Sequence, residues 1–141
     1  MINVFIIDDH PIMVDGLTEA FKDKKDGINI AGFAYSAKQA LKKLRNTPAD
    51  AIILDLALPG VSGVELCTAI KSLFPEKKIV VLTGESDILM LKNVWINGAD
   101  AILSKYCGKY EIKDTIEKVL ENRRIIDNDI RHYFEEAMQN N

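Results

Sequence analysis

Short apolar runs rich in Ile and Val alternate along this chain with longer segments whose apolar residues recur at helical spacing. That alternation is the pattern of repeated βα units, which requires a parallel sheet covered by helices on both faces. Strands are predicted at 2–8, 28–34, 50–55, 79–83 and 100–103. Right-handed crossovers between them leave few topologies. The fold expected is α/β, a flavodoxin-like doubly wound five-stranded parallel sheet of order 2-1-3-4-5, in which strands 1 and 3 flank the switch point where such sheets bind ligands.

Five helices fill the gaps. Pro11 suits the first turn of the first, and Ile12, Leu17, Ala20 and Phe21 are its expected inward face. Ser36 caps the second, which packs through Ala37, Ala40, Leu41 and Leu44. Ser62 followed by Glu65 is a capping-box signature for the third, with Val64, Leu66, Ile70 and Leu73 inward. Ser86 or Asp87 opens the fourth, and Asn97-Gly98 closes it. Ile112, Ile116, Val119 and Leu120 mark the fifth. Beyond about residue 122, Ile126, Ile130, Phe134 and Met138 repeat every four residues, predicting an extra C-terminal helix. The expected division is a domain over 1–122 and a helical tail, or start of a linker, over 123–141.

With 141 residues, 48% of them hydrophobic and 28% charged, the chain has the size and composition of one globular domain. No apolar run approaches the roughly 20 residues of a bilayer span, so no membrane contact and a cytoplasmic location are expected. A net charge of −3 argues against this segment gripping nucleic acid by itself. Cys67 and Cys107 fit no metal or redox spacing and read as packing thiols.

The polar residues that end the strands carry the chemistry. VFII runs into Asp8 and Asp9, AIIL into Asp55, IVVL into Thr83 and AILS into Lys105. In a parallel sheet these ends lie along one edge, so three carboxylates, a hydroxyl and an ammonium converge. Two carboxylates about 5 Å apart repel by roughly 3 kcal/mol at an effective dielectric of 20, so the cluster calls for positive charge. Lys105 supplies part of it, and an all-oxygen set favours Mg²⁺ or Mn²⁺ for the rest. Adjacent acids at a helix start also complement its dipole, which is the plainer reading of Asp8-Asp9. His10 is expected to pack or hydrogen-bond near that helix start. Glu85 and Ala57 border the crevice.

The strings IIDDHPIMVDGL, ILDLALPGVSGVEL, VVLTGES and NGADAILSK, in this order and spacing, resemble the receiver domain of bacterial two-component response regulators (a CheY-like fold) over residues 1–122. The DDHP opening and PGVSGVE turn are most similar to receivers that precede a LuxR-type helix-turn-helix, the NarL/FixJ subfamily. The resemblance implies a phosphorylation-controlled switch. Asp55 would accept a phosphoryl group from a sensor histidine kinase. Asp8, Asp9, Asp55 and the backbone carbonyl of Ala57 would serve the metal, while Thr83 and Lys105 would hold phosphoryl oxygens. No enzymatic activity beyond the domain's own phosphorylation and dephosphorylation is implied. The subfamily suggests a transcription regulator that meets DNA only through an effector domain outside this chain.

Two positions depart from the family. Ile102 stands where an aromatic residue usually swings as the threonine moves, and Tyr106 stands where a proline commonly follows the lysine. Leu91 and Trp95, one turn apart on the fourth helix, are expected to face away from the sheet with Ile102 beside them, forming a patch for a dimer or effector. A homodimer would use this helix 4, strand 5, helix 5 face or another receiver face. Three other readings stand beside the first: a phosphorylation-independent protein-binding receiver, a Mg²⁺-dependent aspartyl phosphohydrolase, and an FMN-binding module. Ala57 in place of a second acid argues against the phosphohydrolase, and DDHP in place of a glycine- and hydroxyl-rich loop argues against FMN.

Overall fold

A computed structural model describes residues 1–84 and 87–139. The elements follow in the order β1 (Ile2–Ile7), α1 (Pro11–Ala20), β2 (Ile28–Ala34), α2 (Ala37–Leu44), β3 (Ala51–Leu54), α3 (Gly63–Leu73), β4 (Lys78–Thr83), α4 (Ile88–Ile96), β5 (Ala101–Ser104), α5 (Lys109–Leu120), β6 (Ile125–Ile126) and α6 (Asn128–Gln139). The sheet is parallel with order β2-β1-β3-β4-β5-β6. The expected order therefore holds for its five strands, and a sixth is added at the edge. Among the described residues no helix is long and apolar enough to cross a membrane.

Alternation along each strand divides the core between the two faces of the sheet. Phe5, Ile7, Ile52, Leu54, Ile79, Val81 and Ile102 point toward α2, α3, α4 and α6. Val4, Ile6, Ile53, Val80, Leu82 and Leu103 point toward α1 and α5. Ser36 caps α2 by accepting the Gln39 N–H, Ser62 caps α3 by accepting the Val64 N–H, and Asp87 caps α4 through the Leu89 and Met90 N–H groups. Gly98, just past α4, has φ of +115°, the left-handed region expected there. Ser86 and Glu85 lie outside the described residues.

The sixth strand corrects the five-strand expectation, and its cause is local. Asn122 has φ of +65° and ends α5 firmly. Two β-branched residues then run beside Ala101 and Ile102 before Asp127 starts a new helix by accepting the Asp129 N–H. Ile126 therefore belongs to a strand. Ile130 and Phe134 are the buried positions of α6, and the Met138 side chain lies outside the described residues.

Two inward faces also need correcting. Ile12 is 87% exposed because the buried stripe of α1 runs through Val14, Leu17 and Phe21, about half a turn away from it. Leu73, the last residue of α3, is exposed, and Phe74 packs against the core instead.

The expected outward patch on α4 is not formed as read. Leu91 and Val94 are core residues, Trp95 is half-buried, and Ile102 is fully buried in the same cluster as Ile130 and Phe134. The reason is α6, which packs against α4 and β5. Arg124 fastens this arrangement: its Nη2 donates to the carbonyls of Trp95 (2.6 Å) and Ala99 (2.8 Å), and its guanidinium lies 3.5 Å from the Trp95 ring centre.

Candidate functional site

Strand register brings the polar ends together. Ile7 pairs with Leu54, and Leu54 with Val81, so the residues that follow emerge along one edge. The Asp55 N–H donates to the Ile7 carbonyl at 2.9 Å, tying the Asp8 and Asp55 segments to each other. Thr83 pairs with Ser104, and the Lys105 N–H donates to the Thr83 carbonyl at 2.9 Å. Asp8, Asp55 and Thr83 are buried, an arrangement open to charged side chains only where partners are close.

Those partners are present. Lys105 Nζ lies 3.1 Å from Asp55 Oδ2 and 3.9 Å from Asp8 Oδ2. The Ala57 N–H donates to Asp55 Oδ1 at 3.0 Å, which fixes that carboxylate and leaves Oδ2 toward the lysine. Asp9 is partly exposed, and its Oδ1 is buried without a hydrogen bond. A buried carboxylate oxygen left in that condition suits a cation-binding role. One ligand atom from each of Asp8, Asp9, His10 and Asp55 lies within 4.8 Å of the others, so the acidic cluster fits a divalent cation.

His10 hydrogen-bonds at the start of α1 as the sequence predicts, and there it joins the carboxylate cluster, which sequence reasoning missed. Its N–H and its Nδ1 both donate to Asp8 Oδ1, at 2.9 and 2.8 Å. The hydrogen bond to Asp8, with the charges of Asp9 and Asp8, raises the imidazole pKa above its ordinary value. The available signal was the directness of the sequence Asp-Asp-His-Pro: a residue at the N-cap of α1 cannot lie far from a strand end three residues earlier.

Other predicted residues are elsewhere. Tyr106 follows Lys105 directly but is 93% exposed, its N–H donating to Ser104 Oγ. Ile102, Leu91 and Trp95 lie on the α4 and α6 side, away from the carboxylates. Cys67 is buried in the core, and burial pushes its thiol up to about 11. Burial, with the charges of Glu111 and Asp127, does the same for Cys107, also about 11. Neither thiol is set up for nucleophilic work near neutral pH.

Comparison with known proteins gives a consistent picture. The family described as response regulator receiver domain matches residues 4–117. Response regulator UvrY of Escherichia coli K12 is 32% identical over 130 residues, covering 92% of this chain and 59% of UvrY. Response regulator protein VraR of Staphylococcus epidermidis is 27% identical over 129 residues, covering 92% of this chain and 61% of VraR. The chain thus spans about three-fifths of the length of these curated relatives. Among solved structures, a two-component response regulator of the LuxR family from Aurantimonas superposes with a TM-score of 0.87 at 26% identity, covering 96% of each chain. The isolated receiver domain of RcsB from Salmonella enterica superposes with a TM-score of 0.83 at 24% identity, covering 93% of this chain and 96% of that one, a likeness of fold.

Proposed function

Because this chain belongs to the response regulator receiver domain family, we propose that it is a signalling switch in which Asp55 accepts a phosphoryl group from the histidine of a sensor kinase. The observation that carries the reading is the pairing of Lys105 Nζ with Asp55 Oδ2 at 3.1 Å, at a buried strand end beside two further carboxylates.

The Asp55 carboxylate attacks phosphorus in line with the leaving imidazole. A P–O bond forms, the P–N bond breaks, and the electron pair departs with the histidine nitrogen. Ala57 N–H holds Oδ1, so Oδ2 is the attacking atom. Lys105 is placed to neutralise one transferring oxygen, and the Thr83 hydroxyl, one residue pair along the β4 and β5 ladder, to donate to another. Asp8, Asp9 and Asp55 with the Ala57 carbonyl would hold Mg²⁺ or Mn²⁺, which when bound neutralises charge on the phosphoryl oxygens. The chain has no further substrate in this reading, and it works in the cytoplasm.

The phosphorylated domain carries nearly two added charges at a site joined to β4 and β5. We assign the output to the surface where those strands meet α4, and self-association through the α4, β5 and α5 face would include α6 and Arg124. In a longer regulator of the UvrY kind, DNA contact would fall to a segment beyond the receiver, giving transcriptional control.

The test is incorporation of phosphate from a small acyl or amido phosphate donor with Mg²⁺. Wild-type protein should take up one phosphoryl group, and Asp55→Asn none. Undiminished uptake by Asp55→Asn would overturn the assignment.

A further inference from the structure

The carboxylate crevice contains a fourth donor for which the phosphoryl transfer just described has no use. His10 Nδ1 lies 2.8 Å from Asp8 Oδ1, 3.1 Å from Asp9 Oδ1 and 3.8 Å from Asp55 Oδ2. A six-coordinate ion with bonds of about 2.1 Å sets neighbouring donors about 3.0 Å apart and opposite ones about 4.2 Å apart. The first two separations match neighbouring positions around such an ion, and the third falls between the two values.

The ring is held there by the main chain. The His10 N–H donates to Asp8 Oδ1, and Pro11 begins α1 immediately afterwards, so the residue is fixed on both sides. The Asp8 carboxylate only accepts, so Nδ1 carries a proton in this contact. An entering cation would take the proton's place on Nδ1, with the proton leaving to solvent. Asp9 Oδ1, buried without a hydrogen bond 3.1 Å from the same nitrogen, would gain its missing partner in that event.

We propose that His10 Nδ1 is a fourth protein ligand of the cation site. Through it the site favours nitrogen-preferring first-row divalent ions, such as Co²⁺, Ni²⁺ and Zn²⁺, more strongly than its three carboxylates would alone. The chemistry follows from ligand type: carboxylates suit Mg²⁺ and Mn²⁺, whereas imidazole adds affinity for the later ions and little for Mg²⁺. The inference rests on the reading that Asp8, Asp9 and Asp55 hold a cation.

Calorimetric titration of the full chain with Co²⁺ and with Mg²⁺, in the absence of phosphodonor, tests it. Wild type, His10→Ala, His10→Gln and Asp9→Asn are compared, and Mn²⁺-loaded wild type is examined by pulsed electron paramagnetic resonance for nitrogen coupling. Both His10 variants should lose roughly tenfold or more in Co²⁺ affinity, at least the lower end of what altered ligand support costs. Their Mg²⁺ affinity should change by less than about threefold on the same grounds of ligand preference, and the wild-type Mn²⁺ signal should show a coupled nitrogen that His10→Ala removes. Equal losses for both ions, or no coupled nitrogen in wild type, overturn the role of His10 while leaving the carboxylate site standing. Failure of wild type to bind either ion, or binding untouched by Asp9→Asn, overturns the cation reading and this inference together.

Discussion

Gly63, the first residue of α3, offers a test of how the β3–α3 loop holds the acidic crevice. A Cβ built there would lie 2.6 Å from Leu56 Cδ2, 2.8 Å from Leu56 Cα and 3.0 Å from the Leu56 carbonyl oxygen. Carbon atoms in good contact sit about 3.5–4.0 Å apart, so the helix start and the loop must separate by roughly 1 Å. Leu56 is buried and follows Asp55, so it cannot yield freely. Gly63 is not among the residues with positive φ, which makes its backbone acceptable to alanine and isolates the clash as the cause. Overpacking of this kind costs about 1–3 kcal/mol. In urea, with an unfolding slope of about 2 kcal/mol/M, Gly63→Ala should lower the midpoint by roughly 0.5–1.5 M.

Gly16→Ala is the matched control. Gly16 lies on the exposed side of α1, where an added Cβ meets nothing within 4 Å. That substitution should stabilise by about 0.5–1 kcal/mol through the helix preference of alanine. Unfolding followed by Trp95 emission, with phosphate uptake measured alongside, distinguishes the two. Gly63→Ala should also slow uptake, because the displaced residue adjoins Asp55. A Gly63→Ala protein as stable as Gly16→Ala would refute the reasoning.

Two further outcomes are expected. Arg124→Ala should cost about 1–2 kcal/mol, combining a cation–π contact with two hydrogen bonds from a charged donor. It should shift Trp95 emission to the red, while Arg124→Lys should recover only part of the loss because it lacks the planar fork; unchanged emission in both would count against the clamp. Asp26 is held below its ordinary pKa of 3.8 chiefly by its hydrogen bond with Lys109, then by the charges of Lys109 and Lys113. A lowered folded-state pKa stabilises above the unfolded value and loses that contribution as pH falls through the folded one. The stability advantage of wild type over Asp26→Asn should therefore shrink below pH 3.8, and urea midpoints that keep a constant gap down to pH 2 would contradict this.

The strands were legible because each is a short β-branched run bounded by residues that cannot continue it, and the capping residues Ser36, Ser62 and Asp87 announce themselves by type. The convergence of Asp8, Asp55, Thr83 and Lys105 was legible for a related reason: parallel order alone puts strand ends on one edge. What the sequence concealed were relations set by packing. Ile126 shares a four-residue spacing with Ile130, so the end of a two-residue strand looked like a helix start. Leu91, Trp95 and Ile102 read as an outward patch because the position of α6 follows from Arg124 reaching back to α4, a contact spanning β5 and α5 that no local period encodes. His10 falls in the same class, since its distances to Asp9 and Asp55 depend on how two strand ends align.

The sixth strand has a consequence for the chain in company with its own copies. The Ile102 carbonyl accepts the Asp127 N–H at 2.8 Å, and Asp127 Oδ2 accepts the Ser104 N–H at 3.4 Å. An open sheet margin is a template on which a neighbouring chain can add a strand and continue indefinitely. Here two isoleucines and one carboxylate occupy the β5 margin that such an addition would need. The short segment thus acts as a stop to polymer growth, and its loss would endanger the protein through association in crowded solution more than through unfolding.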